Sequence, residues 1–95
     1  MNITLKNITN QLKTVLDEAL FLNGRTEQWS DQMSLLGNVP ELDSMAVMNV
    51  VSALEIKFGI FVEDDDINAE VFATIESLAL FINQKLNLEP LQSVS

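Results

Sequence analysis

The chain has 95 residues and a net charge of −9 at pH 7, with 14 acidic residues against 5 basic ones. This length corresponds to one domain, and the negative charge opposes binding to nucleic acid phosphates or acidic membrane surfaces. Cysteine and histidine are both absent, so a disulfide framework, a Cys/His metal site and a Ser-His or Cys-His nucleophile pair are excluded. We therefore do not expect a self-contained hydrolase.

The first predicted helix begins near Asn2 or Thr4, either of which can cap it, and ends at Leu22. The dipeptide Asn23-Gly24 follows and is typical of a left-handed helix stop. Apolar residues recur along one face of this helix, which predicts that the face packs into a core. They are Leu5, Ile8, Leu12, Val15 or Leu16, and Ala19.

A long connection covers residues 23–43, and loops of this length are often functional. Apolar side chains are expected to anchor it to the core, with a short turn of helix among them: Trp29, Met33, Leu35, Leu36 and Val39. We expect Trp29 to pack under the loop rather than to lie at a partner surface.

The second predicted helix runs from Ser44 to Phe58, with Asp43 as its cap. Its core face carries Val47, Val50, Val51, Leu54 and Phe58, of which Leu54 and Phe58 are expected to be buried. Its other face carries Met45, Met48, Asn49, Ser52, Glu55 and Ile56. Methionine recurs on surfaces that accept varied partners, so one interpretation of this face is partner binding. The alternatives are burial within the bundle or isolated exposed apolar residues.

An acidic run at Glu63–Asp66 raises the possibility of a calcium loop, which needs glycine at position six and glutamate at position twelve. Counting from Asp64, these positions hold Ala69 and Ile75, and counting from Asp66 also fails. We therefore predict no metal site and interpret the run as a solvated loop that caps a short third helix. That helix spans residues 68–72, with Val71 and Phe72 turned inward.

The last predicted helix begins with Thr74 as its cap. Its core face carries Ile75, Leu78, Ala79, Ile82 and Leu86, widened by Leu80 and Phe81. The helices predict an all-α domain at residues 1–88, and the polar end that follows predicts a disordered tail at 89–95. No apolar run reaches about 18 residues and no signal peptide is evident, so we expect a cytoplasmic monomer without membrane insertion.

Three stretches together resemble the acyl carrier protein family over about residues 3–86. They are Leu42-Asp43-Ser44-Met45, the helix end at Leu54–Gly59, and Phe72–Leu78. The resemblance implies an antiparallel four-helix bundle with three longer helices, one short helix and a long first loop. It also implies that Ser44 carries 4'-phosphopantetheine, derived from coenzyme A. Asp43 would cap the helix and contact the phosphopantetheinyl transferase that installs the group.

The resemblance further implies a carrier that catalyses nothing and holds acyl groups as thioesters for separate enzymes. Its partners would be the transferase together with acyl-loading, acyl-transfer or condensing enzymes, in fatty-acid, polyketide or specialised lipid biosynthesis. Two alternatives stay open: a D-alanyl or aminoacyl carrier for cell-envelope modification, and an acidic helical interaction module without a prosthetic group. The second helix differs from that of common fatty-acid carriers, which is rich in glutamate and aspartate. Here residues 44–58 hold only Glu55 and Lys57 as charged residues.

Overall fold

The computed structural model describes residues 5–94, with side chains to Asn87. Three α-helices span Leu5–Leu20 (α1), Ser44–Phe58 (α2) and Ile75–Val94 (α3). Short 3-10 helices lie at Arg25–Gln28 and Asp64–Asp66. Within the described range there is no strand beyond an isolated bridge between Ser34 and Thr74. The predicted all-α class is confirmed.

The helix α1 lies at the centre of the molecule and packs against both α2 and α3. Its fully buried residues repeat at helical spacing, as the sequence predicted, and α2 and α3 each contribute a matching set. The buried helical core consists of Ile8, Leu12, Val15, Leu16, Leu20, Val50, Val51, Leu54, Ile75, Leu78, Ala79 and Ile82. Phe58 was expected to be buried but is half-exposed at the core edge.

The end of α1 differs from the predicted one, because the helix stops at Leu20 rather than Leu22. Phe21 takes a left-handed conformation with φ of 56°, and the Leu22 N–H then donates to the Asp17 carbonyl at 3.0 Å. This is a Schellman-type ending with phenylalanine where glycine is preferred. Asn23 also has a positive φ, of 57°. The predicted caps at Asn2 and Thr4 lie outside the described residues.

The connection from α1 to α2 is anchored by buried side chains, mostly those that were predicted. Leu35 and Val39 are buried, and Trp29 and Met33 pack half-exposed against the core. Leu36 was expected to be an anchor but is 41% exposed. The predicted helical turn is the 3-10 helix at Arg25–Gln28.

The predicted short helix at residues 68–72 is a single turn in the structure. Its backbone is closed by Phe72 N–H donating to the Asn68 carbonyl at 3.2 Å. The Asn68 side chain caps it by accepting from Val71 N–H at 2.9 Å. Phe72 is buried as expected and Val71 is half-buried. Three helices and this turn therefore surround the core.

The start of α3 confirms Thr74 as the cap. Thr74 Oγ1 accepts from Ser77 N–H at 3.0 Å, and Ser77 Oγ accepts from Thr74 N–H at 2.9 Å. Leu80 was expected to widen the core face but is 47% exposed. The helix continues to Val94, past the predicted domain boundary at residue 88. The division into a carrier domain at 1–88 and a tail at 89–95 stays a prediction.

Candidate functional site

Ser44 is the first residue of α2, and the chain on either side holds it in place. Asp43 Oδ1 accepts from the Ala46 N–H at 2.8 Å, and the Asp43 carbonyl accepts from Val47 N–H at 2.8 Å. Before the cap, Leu42 is buried and its N–H donates to the Val39 carbonyl at 2.9 Å. The predicted cap is confirmed, and Ser44 begins a helix with a well-defined direction.

The Ser44 side chain is exposed and makes no hydrogen bond within the described residues. The backbone N–H groups of the first helical turn have no acceptor within the helix. Together with the helix macrodipole, these groups favour negative charge beside the first residue. An anionic group attached to Ser44 Oγ would therefore lie in a favourable field.

An ion pair joins the two ends of the long connection next to this site. Arg25 donates to the Glu41 carboxylate, and its Nε donates to the Leu22 carbonyl at 3.2 Å. The Arg25 hydrogen bond holds the pKa of Glu41 below its ordinary value. The turn that carries Arg25 is itself fixed, since Asp17 accepts from Gly24 N–H at 3.0 Å. Both ends of the connection are thus tied to α1.

A shallow apolar cleft of about 200 Å³ opens between α2 and the segment before α3. Its lining comprises Leu36, Val47, Ile67, Asn68, Ala69 and Phe72. Val47 lies three residues after Ser44 and so on a neighbouring part of the same helix surface. The sequence did not predict this cleft, because its walls come from three separate segments. Leu36, which was predicted to be a buried anchor, is exposed because it lines this open cleft.

Comparison with known proteins adds one solved structure. The chain is similar to the solution NMR structure of a holo acyl carrier protein from Nitrosomonas europaea, at 46% sequence identity and a TM-score of 0.78. The match covers 83% of this chain and 95% of that one. The chain belongs to the acyl carrier protein family. It is a carrier protein rather than an enzyme. No protein-family model matches it, and no curated protein does.

The outer face of the carrier's α2 is exposed and largely apolar. Met45, Met48 and Ile56 are 78%, 52% and 85% exposed, and Asn49 and Ser52 are exposed beside them. Glu55 was grouped with this face but is half-buried, and its carboxylate accepts from Val62 N–H at 2.9 Å. In the structure, Glu55 fixes the segment that follows α2 through this hydrogen bond.

One exposed aromatic residue shortly after the end of α2 was not singled out from the sequence. Phe61 is 65% exposed, but a lone phenylalanine between Ile60 and Val62 reads as part of an apolar run, so no sequence signal separates it. Among the described residues no cluster of three or more metal-ligating side chains occurs. None of the described helices is long and apolar enough to cross a membrane.

Proposed function

We propose that the carrier holds acyl groups on a 4'-phosphopantetheine group attached to Ser44 Oγ. The observation that carries the proposal is the exposed Ser44 at the capped start of α2, in a chain 46% identical to a holo acyl carrier protein. When bound, the group supplies a thiol for acyl attachment. The carrier's own residues bind, orient and shield what is attached.

Each residue around Ser44 has a separate task in this proposal. Asp43 fixes the helix start and leaves the serine hydroxyl free to be modified. The N–H groups of the first turn stabilise the phosphodiester charge, an effect typically worth about 0.3–1 kcal/mol at an exposed helix end. The transferase that modifies Ser44 would contact Asp43, because this carboxylate is exposed beside the serine.

The apolar cleft supports an acyl cargo over an aminoacyl one. Its walls include Leu36, Ile67 and Phe72, and apolar surface of this kind stabilises a hydrocarbon chain by about 0.8 kcal/mol per buried methylene. A charged amino group placed there would lose hydration without an ionic partner in the lining. We therefore propose fatty-acid, polyketide or specialised lipid biosynthesis ahead of D-alanyl transfer.

The proposal is tested by modification at Ser44. Incubation with coenzyme A and a broad-specificity phosphopantetheinyl transferase should add one group per chain, measured as a mass increase of the intact protein. Ser44→Ala should abolish the addition. Ser30→Ala is the control, because Ser30 is an exposed serine that lies in the connection before α2 and not on its outer face. Modification of another serine, or none with several transferases, would show that the assignment of Ser44 is wrong.

We also propose that partner enzymes dock on the outer face of α2 mainly by apolar contact. Met48→Glu should weaken binding of an acyl-loading enzyme, because it places an unpaired charge in an apolar interface. Gln84→Glu adds a negative charge at an exposed position of α3 and should leave binding unchanged. Binding kinetics across a salt series measure both effects. If Met48→Glu binds like wild type, the apolar docking idea is wrong.

A further inference from the structure

Residues 63–72, here called the wall segment, form one side of the apolar cleft. Four of them line it together with Val47 of α2, and these four are Ile67, Asn68, Ala69 and Phe72. Phe72 is buried, whereas Asn68 and Ala69 are exposed. The side of the cleft opposite α2 is therefore anchored in the core at Phe72, and the width of the cleft depends on what holds the rest of the wall segment.

Several hydrogen bonds of the wall segment join residues within it. Asp66 N–H donates to the Glu63 carbonyl at 2.9 Å, and Phe72 N–H donates to the Asn68 carbonyl at 3.2 Å. The Asn68 side chain also donates to the Asp65 carbonyl at 3.2 Å. These bonds define the shape of the segment, but bonds within one segment do not fix its distance from α2.

Two polar contacts tie the wall segment to α3. Near its end, the Ser77 hydroxyl donates to the Val71 carbonyl at 2.8 Å. Near its start, Lys85 Nζ pairs with Asp66 Oδ2 at 2.9 Å. The side chains of Lys85 and Asp66 are only 19% and 28% exposed, so salt screens this pair less than a fully exposed one. Residues 67–69, which line the cleft, lie between the two ties.

Both members of the Lys85–Asp66 pair are held by further contacts. Lys85 Nζ lies 5.7 Å from the centroid of the Phe81 ring, which is one helical turn earlier on α3 and attracts a cation over its face. Asp66 Oδ2 also accepts from Glu63 N–H at 3.0 Å. The pair therefore joins a lysine that is positioned on α3 to a carboxylate that is positioned on the wall segment.

We propose that the Lys85–Asp66 pair is a positioning contact that limits how long an acyl chain the cleft takes up. This inference rests on the proposed carrier function. A cavity of about 150 Å³ holds the six carbons of benzene, so a cleft of about 200 Å³ holds about eight carbons. A longer chain gains further burial only if the wall segment moves, and this movement breaks the pair. Without the pair, opening costs less and a longer chain is taken up.

The probes are butanoyl-, octanoyl- and dodecanoyl-coenzyme A, each transferred to Ser44 by a broad-specificity phosphopantetheinyl transferase. Thermal melts of the full-length chain measure uptake, because an acyl chain that binds only the folded state raises Tm. In wild type the octanoyl form should melt above the butanoyl form, and the dodecanoyl form should melt no higher than the octanoyl form. In Lys85→Met the dodecanoyl form should melt above the octanoyl form. Each variant is compared only with its own loaded forms, so a general loss of stability cancels.

Three further variants separate the ion pair from other effects of the substitution. Asp66→Asn removes the other partner and should reproduce the result for Lys85→Met. Lys85→Arg retains the positive charge and should restore the limit at the octanoyl form. Lys57→Met is the matched control, because Lys57 is exposed at the end of α2 and makes no ion pair among residues 5–87. It should melt like wild type in all three loaded forms.

The inference is overturned if the dodecanoyl form of wild type already melts above the octanoyl form, or if Lys85→Met retains the octanoyl limit. An equal change in Lys57→Met would overturn it as well. Intact mass is measured on the same proteins. No loading at Ser44 would refute the proposed function and this inference with it, whereas loading at Ser44 with an unchanged limit in Lys85→Met refutes the inference alone.

Discussion

Leu54 is the core residue of α2 whose loss should cost the most. It is 1% exposed and belongs to the cluster that α1, α2 and α3 form together. Replacing a buried leucine with alanine removes burial and leaves a cavity, which typically costs about 2–5 kcal/mol. At about 0.05–0.15 kcal/mol per residue, a chain of 95 residues has only about 5–14 kcal/mol of stability. Leu54→Ala should therefore remove a large share of it.

A thermal melt followed by circular dichroism measures the loss. For a domain of this size each kcal/mol lowers Tm by about 4–8 °C, so a loss of 3 kcal/mol should lower Tm by about 12–24 °C. Ile56→Ala is the control, since Ile56 lies on the same helix and is 85% exposed. Its change should stay within about 0.5 kcal/mol. Equal shifts for the two variants would contradict the packing described here.

Three further predictions concern local features. Phe21→Gly should raise stability by about 0.5–1 kcal/mol, because glycine adopts the left-handed conformation without steric cost; a lowered Tm would show that the ring contributes to the fold. Asp43→Ala should cost about 0.5–2 kcal/mol by removing the α2 cap, whereas Asp43→Ser should retain most of it. Hydrogen bonding from Lys85 lowers the pKa of Asp66 from 3.8. The ionised Asp66 carboxylate therefore contributes to the free energy of unfolding above pH 3.8, and this contribution is lost as the pH falls through the lowered pKa. Asp66→Asn should accordingly destabilise at pH 7, and its effect should shrink as the pH is lowered below 3.8, as measured by urea denaturation.

The helices were predictable because their apolar residues recur at 3.6-residue spacing and their caps are short polar residues. Thr74 and Asp43 illustrate the second signal, and both make the expected hydrogen bonds. The predicted end of α1, at Leu22 instead of Leu20, was wrong for a physical reason. Leu22 continues the apolar pattern and is buried, but it reaches the core from beyond a left-handed Phe21 rather than from within the helix.

The candidate site was only partly predictable. Ser44 and its cap lie within one short stretch of sequence, so a motif was able to identify them. The cleft beside them is assembled from residues that are far apart in the chain, such as Leu36, Val47 and Ile67. The spacing of apolar residues assigns each of these side chains to the core or to a loop. It does not show which of them lie on opposite walls of one cleft. Glu55 shows the same limit, because its partner Val62 lies beyond the helix end.

The carrier combines a strongly negative charge with a helix α2 that has no net charge. Residues 44–58 contain one acidic and one basic residue. The two carboxylates just before the serine are both engaged, Asp43 with the Ala46 N–H and Glu41 with Arg25. A phosphodiester added to Ser44 would therefore meet the helix N–H groups and one adjacent negative charge, that of Asp43, because Glu41 is paired with Arg25. The exposed acidic residues 63–65 follow the other end of α2 in the chain. On the proposed attachment at Ser44, the helix N–H groups and the pairing of Glu41 with Arg25 are what allow this acidic chain to accommodate a further anion.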